Sequence, residues 1–217
     1  HLFALKQALQ SWEHYQGQIA ECDRQIEQLL REGSGHDVPP GQPARKSRKG
    51  GVNAPVIPGL RDILTQLCGG QDLTRLPAHT EYSVLQIVSE VGTDLQQWAT
   101  EKHFTAWMGL APGSHQSGKR KGSVKRNRNR AGRLFCVIAR SLARSKDIAL
   151  GGFYRRMAAR RGGLVANIAL ARKLAALFWR VMVKGMQYVE QGLAHYEAKV
   201  LETKQRALLH IPDQSDR

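Results

Sequence analysis

Hydrophobic residues recur at helical spacing along most of the chain, beginning with a stripe in the first 31 residues. Its members follow steps of three, four or seven: Leu2, Leu5, Leu9, Trp12, Ile19, Ile26 and Leu30, with Gln16 and Asp23 on the same seam. A narrow stripe of this kind is typical of a coiled coil. We therefore predict a coiled-coil-like helical arm over residues 1–33. The alternative is a helix packed on its own domain.

The next region, residues 34–54, is predicted to be a flexible linker. It is rich in glycine and proline, which oppose regular structure. It also contains the basic cluster Arg45-Lys46-Ser47-Arg48-Lys49. This cluster either binds nucleic acid or is a solvated part of the linker, and the pattern favours neither interpretation.

Further helices are predicted between glycine and proline breaks. The spacing indicates helices over residues 60–68, 81–91, 101–110, 153–161, 164–184 and 187–209, and another through Leu134, Val137, Ile138 and Leu142. The predicted breaks are Gly69-Gly70, Gly92, Gly151-Gly152 and Gly162-Gly163. A strand pattern of period two does not persist anywhere, so the predicted fold class is all-α: a coiled-coil-like helix, then a compact helical domain with a basic Gly/Ser loop.

Two sets of side chains are assigned to faces of these helices. Aromatic residues near the 101–110 helix, Trp98, Phe104 and Trp107, are expected in the core rather than on a base-stacking surface. Leu164 is placed among the inward-facing residues of the 164–184 helix. On that helix, three cations share one stripe, which we place on its outer face: Lys173, Arg180 and Lys184.

The distribution of charge indicates a class of partner, a polyanion. The formal net charge is +15, and residues 102–146 contain twelve lysines and arginines but no acidic residue. Such a concentrated excess indicates a phosphate-bearing partner, because each neutralised phosphate releases counterions. The centre of this block, residues 113–130, combines glycine, serine and dense positive charge. It predicts a loop that holds a polyanion.

Three serines in this basic loop, Ser114, Ser117 and Ser123, are candidate nucleophiles. A serine hydroxyl is a poor nucleophile at its normal pKa, so attack on a phosphodiester needs a positioned, neutralised phosphate and a base or metal. Neighbouring cations can neutralise such a phosphate: Lys119, Arg120, Lys121, Lys125 and Arg126. From the residues alone, a loop that binds phosphate without catalysis is favoured over a nucleophile, and His115 is expected to be an ordinary polar loop residue.

Other classes of site are not indicated by the sequence. Carboxylates are missing between Glu101 and Asp147, so a two-metal nuclease site is not expected in this chain. The three cysteines are far apart, which argues against zinc and disulfides and for a reducing, cytosolic compartment. The longest apolar stretch is interrupted by charged residues, so a membrane span is not expected. His1 is not a natural start, and we expect a longer protein.

Several sequence blocks recur in an order and spacing that resemble one known family. They are Leu76-Pro77, Tyr82–Asp94, Lys102–Gly113, Ser117-Gly118-Lys119, Lys125–Ala131, Phe153-Tyr154-Arg155-Arg156 and Ala171-Arg172-Lys173-Leu174-Ala175. Together they resemble the C-terminal transposase domain of the bridge-RNA-guided insertion-sequence recombinases. The resemblance covers about residues 55–190, followed by a C-terminal helix and tail over residues 191–217.

The resemblance implies specific roles for residues of the basic loop and its neighbours. The family's nucleophilic serine lies in a Ser-Gly pair after a Gly-Leu-x-Pro block, which corresponds here to Ser117 after Gly109–Pro112. The implied nucleic-acid-binding residues are Lys119, Arg120, Lys121, Lys125, Arg126, Arg128, Arg130, Arg155, Arg156 and Lys173. The chain itself is expected to hold no cofactor. Mg²⁺ belongs to an N-terminal RuvC-like DEDD domain, which this chain lacks.

The same resemblance implies partners and surroundings. Donor and target DNA, a guide (bridge) RNA and further copies of the chain are the expected partners. The helical arm would join protomers into a dimer or tetramer. The expected location is the bacterial cytoplasm, in association with the nucleoid. The alternative function is a non-catalytic helical module that binds DNA and RNA.

One departure from the family pattern concerns a turn. The family's usual Ile-Pro-Gly-Ile-Gly is Leu76-Pro77-Ala78-His79-Thr80 here, so both glycines are missing. A phosphate grip by glycine amides is therefore not expected at this turn. The segment Ile57-Pro58-Gly59-Leu60 matches that pattern better but lies one helix too early, and we interpret it as a coincidence.

Overall fold

The computed structural model describes residues 1–35, 54–112, 127–145 and 149–209, and it is helical without strands over this part of the chain. The α-helices are α1 (Leu2–Ser34), α2 (Leu60–Leu67), α3 (Glu81–Val91), α4 (Glu101–Trp107), α5 (Arg130–Ala143), α6 (Leu150–Arg161), α7 (Gly163–Lys184) and α8 (Met186–Leu209). A 3-10 turn at Leu73–Arg75 lies between α2 and α3. The all-α prediction is confirmed.

Helix α7 is the centre of the hydrophobic core. It packs against α4, α5, α6 and α8. Its inner face buries Leu174, Ala175 and Phe178 completely, and Phe178 meets Phe135 of α5 edge to face at 5.7 Å between ring centroids. Each buried phenylalanine or leucine contributes roughly 1.5–3 kcal/mol relative to exposure. Alanines on the same face allow neighbouring helices to approach closely.

Helix α1 is anchored at only one end. Near its C-terminus, Ile26 and Leu30 pack against the core, and the Asp23 carboxylate accepts a hydrogen bond of 3.0 Å from the Val56 amide. Gly33 lies so close to Leu67 of α2 that a β-carbon there would be 3.2 Å from it. The earlier part of the predicted stripe is exposed: Leu2, Leu5, Leu9, Trp12 and Ile19.

Helix boundaries follow capping residues. Thr80 and Ser83 form a reciprocal capping box at the start of α3, with bonds of 3.2 and 2.8 Å. The Asn129 side chain caps α5 by accepting from the Gly132 amide at 2.9 Å. The predicted helix ends at Gly92 and Gly162 are confirmed, and both glycines adopt positive φ.

Four local predictions are wrong. Gly151-Gly152 does not break the chain but forms the buried first turn of α6, because packing outweighs the roughly 1 kcal/mol that a glycine costs a helix. Leu164 is 73% exposed and Val137 is 68% exposed, so neither faces inward. Trp107 is also exposed. Its neighbour Trp98 covers the buried Phe104 instead, with ring centroids 4.9 Å apart.

Candidate nucleic-acid interface

The predicted site residues fall into two groups. Ser117, His115 and the first five cations of the basic loop lie outside the described residues, as does the linker cluster Arg45–Lys49. The other five predicted contacts are described: Arg128, Arg130, Arg155, Arg156 and Lys173. We call the part of the basic loop that lies outside the described residues, 113–126, the basic segment.

Two glycines bring the flanks of the basic segment together. Gly109 has positive φ, and a β-carbon there would lie 2.4 Å from the backbone oxygen of Asn127. Gly132 is equally constrained, because its β-carbon would lie 2.3 Å from the Met108 oxygen. Any side chain at either position would collide with backbone. The chain before the segment therefore contacts the chain after it, without intervening side chains.

The predicted cations directly after the segment are part of this junction. Arg130 is exposed and lies 3.3 Å from Glu90 of α3, which makes it a weak surface ion pair. The Arg128 carbonyl accepts a hydrogen bond of 3.2 Å from the Arg133 side chain. The guanidinium of Arg130 remains accessible to a phosphate.

Helix α5 has an exposed basic stripe that the sequence interpretation did not assign to the site. Arg133, Val137, Arg140 and Arg144 follow one another at steps of four, three and four, and all four are exposed. Such steps place side chains on one helix face. The same spacing in the sequence could have identified this stripe, but Val137 was assigned to the core.

Two predicted arginines lie on α6. Arg155 donates a hydrogen bond of 2.9 Å to the Ser145 carbonyl, which ties α6 to the end of α5. Arg156 is exposed, and its positive charge acts on Lys173 of α7. The structure therefore associates Arg156 with Lys173, whereas it gives Arg155 a structural contact.

A cleft of about 860 Å³ opens between α4, α6, α7 and α8. Apolar side chains form much of its wall, including Phe153, Ile168 and Leu193. Its polar lining includes Lys102, Arg172, Lys173, Arg180 and His195. Pro112, the last described residue before the basic segment, borders the same cleft.

Lys173 contacts two aromatic rings in this cleft. Its ammonium lies 4.5 Å from the centroid of the Phe153 ring and 5.0 Å from that of Tyr196. Burial lowers the pKa of Lys173, and the nearby positive charges of Arg180 and Arg156 lower it further. The two rings offset part of this cost through cation–π attraction.

Two members of the predicted outer stripe of α7, Lys173 and Arg180, are partly buried, which corrects the sequence interpretation, whereas Lys184 is exposed as predicted. Helix α8 packs beside α7, so Lys173 and Arg180 line the cleft. Lys184 lies 4.9 Å from the Tyr188 ring centroid. Arg180 forms two hydrogen bonds with Glu101 of α4, one of them 2.7 Å long. These bonds hold the pKa of Glu101 below its usual value.

The turn that lacks the family's glycines is built around a buried histidine. Ala78 has φ +63, a conformation that favours glycine, so its backbone is strained. The His79 Nδ1 donates to the Pro77 carbonyl at 3.0 Å, and its ring stacks on Phe178 at 6.2 Å. Burial lowers the pKa of His79 to about 4. The Ile57–Leu60 segment simply leads into α2, with Gly59 as its N-cap.

The described residues show neither a metal-binding cluster nor a membrane-spanning helix. No three histidine, cysteine or acidic side chains among them cluster closely enough to hold a metal ion. None of the helices in the same part of the chain combines the length and hydrophobicity that a membrane span requires.

Comparison with known proteins gives one match. Residues 70–155 match the model of the IS116/IS110/IS902 transposase family. The matched range begins after α2, runs through both glycine contacts at the basic segment, and ends in α6. No curated protein and no solved structure matches the chain. The family match supports an insertion-sequence transposase and DNA as its partner.

Proposed function

We propose that this chain is the serine-bearing domain of a DNA transposase, and that Ser117 attacks a DNA phosphodiester within an RNA-guided complex. The family match over residues 70–155 is the observation on which the proposal mainly rests. It includes the whole basic segment, which contains Ser117 and five of the predicted phosphate-binding cations.

The short stretch of chain between Pro112 and Ser117 supports this proposal. Ser117 is five residues after Pro112, and a fully extended chain spans at most about 3.6 Å per residue. Chain length alone therefore keeps Ser117 within about 18 Å of Pro112, which borders the cationic cleft. A DNA strand bound at that cleft would be within reach of the serine.

The proposed chemical step is a transesterification. The Ser117 oxygen bonds to phosphorus, one phosphorus–oxygen bond of the strand breaks, the hydroxyl loses its proton, and the departing deoxyribose oxygen gains one. The resulting phosphoserine ester keeps the phosphorus reactive, so another deoxyribose hydroxyl can displace the serine and join strands. Arginines and lysines would stabilise the extra negative charge of the transition state.

Mg²⁺ is expected to assist from a RuvC-like domain rather than from this chain. Magnesium prefers several converging oxygen ligands, usually carboxylates. The described residues offer no such cluster, and residues 102–145 contain no acidic side chain. When bound, the ion would neutralise phosphate charge. The residues of this chain would bind the strand and supply the nucleophile.

The test replaces Ser117 with alanine in the full-length protein. We expect the covalent protein–DNA adduct to disappear and recombination to fall by about 10³-fold or more, as for other lost nucleophiles. Ser114→Ala and Ser123→Ala are matched controls, because both serines lie in the same basic segment. Adduct formation by Ser117→Ala at the normal rate would refute the serine assignment.

A non-catalytic DNA- and RNA-binding module is the second candidate. The α5 stripe favours it, because three exposed arginines at helical spacing suit phosphate contacts and need no serine chemistry. This module predicts normal nucleic-acid affinity and unchanged recombination for Ser117→Ala. The same experiment therefore separates the two functions.

Further copies of the chain and a guide RNA complete the proposed complex. The exposed stripe of α1 supports a coiled-coil contact between protomers, in a dimer or tetramer. The separate cationic surfaces, on α5 and in the cleft, provide room for both DNA and RNA.

A further inference from the structure

The cleft between α4, α6, α7 and α8 has an apolar part and a cationic part. Part of its wall is apolar, with Ile168, Leu177 and Leu193. Another part is cationic, with Arg172 and Lys173 in adjacent positions. An apolar surface beside fixed positive charge matches a nucleotide, which has a flat base on one side and a phosphate on the other.

Glu101, the carboxylate among the residues that line the cleft, does not pair with Lys173. Glu101 borders the cleft, but it is engaged by Arg180 through two hydrogen bonds. The charged neighbours that act on Lys173 are Arg180 and Arg156, both of the same sign, and burial adds to their effect. Among the described residues, no acidic group relieves this repulsion at Lys173. An anion in the cleft would do so.

Lys173 is also held in place before any ligand arrives. Its ammonium is positioned by the Phe153 and Tyr196 rings on two sides, at 4.5 and 5.0 Å from their centroids. A lysine on the surface loses considerable rotational freedom when it binds a phosphate. Because much of that freedom is already lost in Lys173, its contact with phosphate should be comparatively strong.

The volume of the cleft suits a single nucleotide. Ligand pockets of roughly 300–1,000 Å³ hold molecules of drug size, and this cleft falls within that range. The bases of intact duplex DNA stay stacked and would not reach the apolar wall. A nucleotide can enter only from a single strand or after leaving the stack.

We propose that the cleft binds one DNA nucleotide that has left the base stack, with its phosphate on Lys173 and Arg172 and its base against the apolar wall. This inference rests on the proposed function, since it names the DNA conformation that the transposase recognises. It assigns to α7 and α8 a role separate from the serine chemistry: they select unpaired positions in the DNA.

The test measures binding of two fluorescently labelled duplexes by the full-length protein. One duplex is fully paired, and the other contains one unpaired 2-aminopurine, whose fluorescence reports stacking. We expect the protein to bind the second duplex about 10-fold more tightly, because the unpaired base can leave the stack and pack in the cleft. We also expect its 2-aminopurine signal to change on binding.

The variants separate charge from shape. Lys173→Met removes the ammonium and should abolish the preference for the unpaired duplex, whereas Lys173→Arg should retain most of it. Lys199→Met is the matched control, because Lys199 is an exposed lysine of α8 outside the cleft lining. Leu193→Trp fills part of the space beside the apolar wall of the cleft without changing its charge. It should also abolish the preference for the unpaired duplex. It therefore provides a second test if Lys173→Met does not fold.

Each result has a defined meaning. Equal affinity of the unaltered protein for both duplexes would overturn the inference while leaving the proposed function intact, provided that the Ser117 adduct still forms. A preference that survives in both Lys173→Met and Leu193→Trp would also overturn it. Failure to bind either duplex or to form the adduct would refute the proposed function itself. A preference seen only with the matching RNA duplexes would assign the cleft to RNA and reject the DNA proposal.

Discussion

At the scale of single residues, the protonation state of the buried turn residue His79 affects the stability of the fold. Its ring packs against both Phe135 and Phe178, and the only described hydrogen bond of the ring is to a carbonyl two residues away. This bond fixes the proton on Nδ1, because a carbonyl oxygen can only accept. The buried Nε2 has no hydrogen-bond partner, so a second proton there would be expensive. His79 therefore stabilises the fold only in its neutral form.

Stability should consequently depend on pH through His79. Its pKa is about 4 in the folded protein against 6.5 for the free side chain, so the unfolded chain binds more protons between these values. Stability is fully present above pH 6.5 and is lost as the pH falls towards 4. We expect the free energy of unfolding to fall by about 2 kcal/mol between pH 7 and pH 5. Urea unfolding at both pH values would measure this difference.

His79→Gln should remove most of that pH dependence, because glutamine does not titrate. His103→Gln is a suitable control, since His103 is exposed on α4. The carboxylates of Asp72 and Glu101 have lowered pKa values, so their contributions are lost only at lower pH and do not interfere between pH 5 and 7. An equal loss of stability in His79→Gln and the unaltered protein would contradict this assignment.

At the scale of helices, α1 combines an anchored end with an uncovered one. Isolated helices gain little stability from propensity alone and usually depend on packing of their apolar face. Leu5, Leu9 and Trp12 of α1 have no such packing within the described part of the chain, where Trp12 exposes 60% of its surface. A second copy of α1 would supply it.

Substituting two leucines on the uncovered stripe should therefore dissociate the oligomer. We expect the double variant Leu5→Glu/Leu9→Glu of the full-length protein to sediment as a monomer, because each leucine loses roughly 1.5–3 kcal/mol of burial and two charges enter the contact. Gln10→Glu/Gln18→Glu, on exposed polar positions of the same helix, adds the same charge and should leave the oligomer unchanged. An unchanged sedimentation coefficient for the leucine variant would exclude this stripe as the contact.

The helices illustrate what sequence patterns can and cannot determine. Periodicity located α3 and α7 to within a residue, because both have capping residues and a strongly apolar face. Periodicity did not predict that Val137 is exposed or that Lys173 and Arg180 line the cleft. It shows that residues share a face of a helix but not which neighbour covers that face. Lys173 is covered by Tyr196 of helix α8, which lies 23 residues further along the chain. Only the tertiary structure reveals this contact and the cleft it forms.

The largest difference between sequence and structure concerns glycine. Gly151 and Gly152 were predicted to interrupt the chain but lie in the first turn of α6. Conversely, a close backbone contact was predicted for neither Gly109 nor Gly132, yet each touches backbone across the basic segment. A glycine needed for close approach and one that ends a helix look identical in a single sequence. Their roles depend on contacts between residues about 20 positions apart.

At the scale of the whole molecule, charge is unevenly distributed over surfaces. Several arginines elsewhere are already paired with acidic residues on their own helix, as in the pairs of Arg24 with Glu21, Arg31 with Glu27 and Arg206 with Glu202. Exposed pairs of this kind contribute little to stability, but they reduce the local positive potential. The three arginines of the α5 stripe lie in a region of sequence without acidic residues.

Neutralising the α5 stripe should therefore weaken DNA binding and reduce its salt dependence. The triple variant Arg133→Gln/Arg140→Gln/Arg144→Gln should lower the slope of log affinity against log salt by about 0.9 for each phosphate contact that is lost. A filter-binding series at increasing salt measures that slope directly.

A matched variant controls for net charge. Replacing Arg24, Arg31 and Arg206 with glutamine removes the same three charges, but from residues that are paired with acids. We expect its slope to stay close to that of the unaltered protein. Equal slopes for the two triple variants would show that overall charge, rather than the α5 stripe, determines binding.

The backbone contacts of Gly109 and Gly132 hold the two flanks of the basic segment together without a disulfide bond. A disulfide could hold the two flanks of residues 113–126 at a similar separation, but it would open in a reducing cell. Here the backbone itself makes the connection, and the described cysteines, Cys22, Cys68 and Cys136, are all free. Because extending a loop between fixed ends costs only about 0.6 kcal/mol per doubling of its length, the segment between them can change in length and sequence while its attachment points stay fixed. The fold thus provides two fixed attachment points, between which segments of different length and sequence can be accommodated.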